Sequence, residues 1–86
     1  MMLALRSEVV RELAELLRTD AAAAVARYLA LVAAGERDAV RTQLTASERT
    51  ALLCSMVDHF HARTGRWPAL HGRRYVLQAE IEETTP

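Results

Sequence analysis

The chain has no lysine and no asparagine, one cysteine, two prolines, three glycines and only four residues of the Phe, Tyr and Trp class. A single thiol, Cys54, excludes a disulfide framework and a four-cysteine zinc site, and it agrees with a reducing, cytoplasmic address. Gly35, Gly65 and Gly72 stand apart, so there is no glycine-rich loop to cradle a phosphate. Charge of one sign is missing too. Eleven arginines balance eleven Asp plus Glu, which argues against a globally basic nucleic-acid binder and against an acidic tail. Long apolar runs are absent. The longest, 21–34, is broken by Arg27 and falls short of the ~20 residues that cross a bilayer. The start, Met1 to Leu5, is too short for the apolar part of a signal peptide. No membrane association is expected.

What remains is rich in helix formers. Sixteen alanines and twelve leucines sit among the arginines and glutamates of an 86-residue chain that is 51% apolar. These are the residues with the best helix propensity, and β-branched and aromatic residues are few. Disorder is excluded by the apolar share. The length permits one domain over 1–86, small enough that a partner subunit commonly adds stability.

Periodicity divides that domain into helices. From Leu3 to Arg18, residues Leu5, Val9, Val10, Leu13, Leu16 and Leu17 share one arc, opposite Glu8, Arg11, Glu15 and Arg18. Asp20 suits the cap of a second helix, Ala21 to Ala34, which Gly35 closes. Its large stripe is Val25, Tyr28, Leu29 and Val32. A short helix is expected over Glu36 to Gln43. Thr45 and Glu48 have capping-box spacing ahead of Leu52, Leu53, Met56, Val57 and Phe60, and that helix runs to about Thr64 before Gly65. A last helix is expected from Pro68 to Glu82, with Leu70, Leu77 and Ile81 in line and 83–86 frayed. The fold class is therefore all-α, a bundle of four to five helices.

The second helix is apolar on its far side as well. Ala23, Ala26, Ala30, Ala33, Ala34 and Leu31 surround Arg27 there. A helix apolar all round is either central or covered by another subunit. A homodimer through Ala23, Ala26, Arg27, Ala30 and Ala34 follows as the expectation, since a two-fold assembly needs only one self-complementary patch. The plainer alternative is alanine chosen for helix propensity on a solvent face.

Chemistry is sparse. Cys54 lies mid-helix, away from any helix N-terminus or fixed cation, and no nucleophile elbow occurs. An enzyme is not expected, nor a cofactor. Cys54, Asp58 and His61 fall at i, i+4 and i+7, on one arc that is a weak candidate for part of a zinc site. Established structural spacings are absent. Cys54 as a small hydrophobe and His61 as a surface residue at a helix C-terminus account for the same pattern.

One stretch departs from the rest. Arg63, Arg66, Trp67, His71, Arg73, Arg74 and Tyr75 lie within thirteen residues, and no acid occurs between Asp58 and Glu80. Interleaved arginine and aromatic side chains recognise carboxylates and phosphates by forked hydrogen bonds and stacking, and they dominate protein-interface hot spots. The competing expectation buries Trp67 over the core and pairs the arginines with Glu80, Glu82 and Glu83. Helix, turn, helix is also the plan of many DNA-associated domains. The N-terminal turns of the last helix would then have to read bases, and of Ala69, Leu70, His71, Gly72, Arg73 and Arg74 there only the arginines and His71 carry base-reading groups. The leading expectation is a small non-enzymatic regulator, inhibitor or adaptor that docks an acidic protein surface through this turn. The alternative is a dimeric nucleic-acid binder using the same arginines.

Overall fold

Ser7 begins the first helix. It is extended (φ −62°, ψ 157°) and its hydroxyl accepts the Val10 N–H at 3.2 Å, one of the donors every helix start leaves unpaired. The computed structural model describes residues 6–68 and 81–82, and α1 spans Glu8–Thr19 within it. The expected start at Leu3 is therefore corrected, because Ser7 caps more strongly than in-phase Leu5 extends.

Asp20 serves two helices. Its N–H closes α1 on the Leu16 carbonyl at 2.7 Å, and its carboxylate accepts the Ala23 N–H at the start of α2, Ala21–Ala33. Such a cap stabilises by about 1 kcal/mol. At the other end Gly35 takes φ +81°. There the Gly35 and Glu36 N–H groups return to the carbonyls of Val32 and Leu31, both at 2.9 Å. That pair of bonds is the Schellman closure, which requires a left-handed residue and so favours glycine.

Helix α3, Arg37–Gln43, is short and has no side-chain cap at its start. Its last carbonyls are satisfied from outside, by Arg49, which donates to the Arg41 and Leu44 oxygens at 3.1 and 2.8 Å. Helix α4, Ala46–Thr64, opens on the expected capping box. The Thr45 hydroxyl accepts the Glu48 N–H, and the Glu48 carboxylate accepts the Thr45 N–H.

These four helices form an all-α bundle, with no strand among the described residues. Helix α2 is the hub and touches the other three. Its buried stripe is Ala24, Val25, Tyr28 and Leu31, so Leu31 faces inward, while Leu29 and Val32 flank the core half-buried. Val10 and Leu13 of α1, Val40 of α3, Leu44, and Leu52, Leu53, Met56 and Phe60 of α4 complete the cluster. Burying each large side chain contributes roughly 1.5–3 kcal/mol. Ile81 joins the core from beyond α4 with no exposed surface. Both 81 and 82 are helical, Pro68 is not, and the remainder of the expected last helix lies outside the described residues, as do 83–86.

Candidate functional site

The candidate site grows from the end of α4. Gly65 (φ +72°) donates its N–H to the His61 carbonyl at 2.8 Å, ending the helix in a single left-handed step. The Thr64 hydroxyl donates to the Phe60 carbonyl at 2.9 Å and accepts the Arg66 N–H at 3.2 Å. Those bonds turn the chain back along the helix. Trp67 consequently lies over His61, with ring centroids 3.8 Å apart and planes 9° from parallel.

Trp67 does not cap the core. It is 62% exposed, whereas the next residue, Pro68, is buried. A compact ring that needs no N–H partner fits the interior better than an indole. Arg63 and Arg66 lie between the two stacked residues in sequence and are exposed. Neither forms an ion pair with a described acid. The expected partner Glu82 is engaged elsewhere, by Tyr28 and Arg37. Of the other arginine and aromatic candidates, His71, Arg73, Arg74 and Tyr75 lie outside the described residues, as do Glu80 and Glu83.

His61 gains a neighbour that helix periodicity does not indicate. It shares helix α4 with Cys54 and Asp58, at the expected spacing. In the structure Cys54 and Asp58 are exposed, and His61 pairs with Trp67. Among the described residues no three His, Cys, Asp or Glu side chains converge to hold a metal ion. Cys54 and His61 are separated by about 10 Å of helix rise, too far for a nucleophile–base pair. The signal for the stack is present in the sequence: only five residues separate His61 from Trp67, with Gly65 among them to reverse the chain.

A second polar cluster sits at the α2–α3 corner. The Tyr28 phenol donates to Glu82 Oε1 at 2.5 Å, and Arg37 donates to Glu82 Oε2 at 3.0 Å. Tyr28 has no exposed surface, and the Glu82 side chain is 4% exposed. Burial, and then the adjacent Glu82 carboxylate, push the Tyr28 phenol well above its ordinary value. The hydrogen bond to Glu82 and its charge also raise the Arg37 guanidinium. The Schellman turn makes this convergence possible, because it folds Arg37 back toward Tyr28 on the preceding helix.

On the outer face of α2, Ala26, Ala30 and Ala34 are exposed and Ala23 is half-buried. Arg27 is tied to Glu12 of α1 at 3.2 Å, so its charge is directed to the edge of the alanine face. No described helix is long and apolar enough to cross a membrane. Comparison with protein-family models, curated proteins and solved structures finds no match to this chain.

Proposed function

We propose that this protein is a small non-enzymatic docking module, a regulator, inhibitor or adaptor, whose contact site is the turn after α4. The observation that carries the reading is Trp67, a large aromatic side chain held 62% exposed and backed by His61, following Arg63 and Arg66 in a turn where neither arginine pairs with a described acid. Ordering a bare indole in water gains little. Presented on a helix end beside guanidinium groups, it has the composition of an interface anchor for an acidic protein surface. Stacking on His61 fixes the ring before contact, which lowers the ordering cost of binding. His71, Arg73, Arg74 and Tyr75 extend the same basic and aromatic stretch in sequence. The module acts in the cytoplasm, and as a two-fold dimer when the alanines of α2 meet those of a second copy.

Paired capture from a lysate of the native host, with the unaltered chain and Trp67→Ala as baits, tests this reading. The partner retained only by the unaltered chain is then titrated in purified form. Trp67→Ala is expected to weaken it by upward of 2 kcal/mol, about thirtyfold, and Arg66→Ala by less. Affinity should fall only shallowly with salt. A retained nucleic acid, with a log–log salt slope near −0.9 per phosphate contacted, would move the assignment to the alternative use of the same arginines. Equal retention by both baits removes the turn from consideration.

A further inference from the structure

One hydroxyl holds the approach to the exposed indole. Thr64 Oγ1 donates to the Phe60 carbonyl at 2.9 Å and accepts the Arg66 N–H at 3.2 Å. A single oxygen thus joins the last turn of α4 to the residue that precedes Trp67. Gly65 has a backbone bond of its own, to the His61 carbonyl. Arg66 and Trp67 form no backbone–backbone bond with a described residue. The course of the chain from Gly65 to the stack therefore depends on Thr64 acting as donor and acceptor at once.

The surroundings of that hydroxyl are also distinctive. Thr64 is exposed and is the last residue of α4, where helices fray, so it is reached without opening the bundle. Arg63 stands immediately before it and Arg66 two residues after, and Thr64 is the only hydroxyl residue of the chain with an arginine within two positions on each side. Other hydroxyls that follow an arginine are placed differently. Thr19 lies between Asp20 and Arg18, which is tied to Glu15, and Thr50 follows Arg49, which is spent on the carbonyls of Arg41 and Leu44. Neither Arg63 nor Arg66 pairs with a described acid, and a guanidinium fork matches the oxygens of a phosphate.

We propose that Thr64 is a phosphoacceptor site and that a phosphoryl group there switches the turn off as a docking surface, an inference that rests on the docking role of the turn. The co-reactants are a nucleoside triphosphate and a kinase that selects arginine-flanked hydroxyls. Thr64 Oγ1 forms a bond to the terminal phosphorus as the bridging phosphorus–oxygen bond breaks. The hydroxyl proton passes to the base of the kinase, and a nucleoside diphosphate leaves. The new group carries about −1.5 to −2 charge at pH 7. Its ester oxygen has no hydrogen to give to Phe60, and the negative end of the α4 dipole repels the dianion. The side chain swings away and releases the Arg66 N–H, so Trp67 loses its place over His61. The phosphate oxygens then draw Arg63 and Arg66 to themselves and cancel the charge that an acidic partner would meet.

The full chain is incubated with magnesium ATP and a panel of arginine-directed serine/threonine kinases, and phosphate is mapped by mass. Thr64 is expected to carry about tenfold more phosphate than Thr19, Thr42 or Thr50, since each accessible arginine adds a charged contact for the kinase. No phosphate at Thr64, or an even spread over the four, overturns the assignment. Coupling to Trp67 is read separately from the magnetic resonance shifts of the His61 ring, with Trp67→Ala defining the unstacked position. Phosphorylated chain and Thr64→Val should each move the His61 signals most of the way there, while Thr64→Ser, which keeps the hydroxyl, should leave them in place. An unmoved ring in the phosphorylated chain, or a ring displaced equally by Thr64→Ser, overturns the switch. Should Thr64→Val unfold by circular dichroism, the chain phosphorylated after folding gives the same readout. Neither measurement uses a partner, so failure of the docking role and failure of the switch are told apart.

Discussion

Arg6 and Glu48, forty-two residues apart in sequence, are joined by a 2.5 Å hydrogen bond from the guanidinium to Oε1, the same oxygen that accepts the Thr45 N–H. One carboxylate oxygen thus caps α4 and ties down the chain just before α1. The neighbouring Ser7 N–H donates to Gln43 at 2.8 Å, so the entry to α1 is pinned at two adjacent residues, on α3 and on α4.

That arrangement predicts an acid limb in the stability profile. Partial burial pulls Glu48 upward, but the bonds from Arg6 and the Thr45 backbone outweigh it and hold the carboxyl below its ordinary 4.5. A folded value below the unfolded one contributes stability above pH 4.5 that fades as pH falls through the folded value. Thermal melts from pH 7 to pH 3 should show this loss, and Glu48→Gln should flatten it. At pH 7, Glu48→Ala should cost about 2 kcal/mol, from the lost cap and the lost charged bond together.

Tyr28 predicts the opposite limb. Its folded phenol ionises above the ordinary 10.0, so its contribution is complete below pH 10 and is lost as pH rises from there toward the folded value. Denaturant melts between pH 8 and pH 11 should therefore steepen for the unaltered chain and not for Tyr28→Phe. At neutral pH, Tyr28→Phe gives up a bond to a charged acceptor and should cost about 1.5–3 kcal/mol.

Trp67 separates binding from folding. Because it is mostly exposed, Trp67→Ala should change the unfolding free energy by no more than about 0.5 kcal/mol. The same variant is expected to lose most of its affinity for the partner. Chemical denaturation measured by circular dichroism, which does not rely on indole emission, checks the first half. A large stability loss would show that the indole supports the fold.

The alanine face of α2 yields an assembly prediction. Light scattering at tens of micromolar should report twice the chain mass, and Ala30→Glu should halve it, since a carboxylate cannot be buried unpaired against a row of methyl groups. A monomer in both cases would leave that face to solvent.

Local signals were legible wherever one helix turn contains the whole device. Asp20 with Gly35, and Thr45 with Glu48, bracket their helices as their spacing predicts, because capping involves only residues three to five apart. Ser7 belongs to the same class, but the apolar phase of Leu5 with Val9 points to an earlier start than its cap allows. Leu31 faces the core, where the sequence pattern points outward because alanine on both flanks of α2 blurs the amphipathic direction. The Glu82 fork was not legible. Tyr28 and Arg37 lie 54 and 45 residues from it, and no periodicity marks such a meeting. At the turn, the concentration of arginine with tryptophan pointed to the region. Exposure of Trp67 depended on which of two adjacent residues the core would accept, and that is decided by shape.

Cys54 is the sole thiol of the chain, is exposed, and stands on α4 two turns before the histidine that supports the sole tryptophan. A small quencher attached there through a thioether would sit about 10 Å of helix rise from that stack, near enough to dim its fluorescence. With no lysine in the chain, amine-directed reagents leave every side chain unlabelled. The molecule thus carries a built-in optical pair, one donor and one attachment point, that reads events at the turn without any residue being replaced.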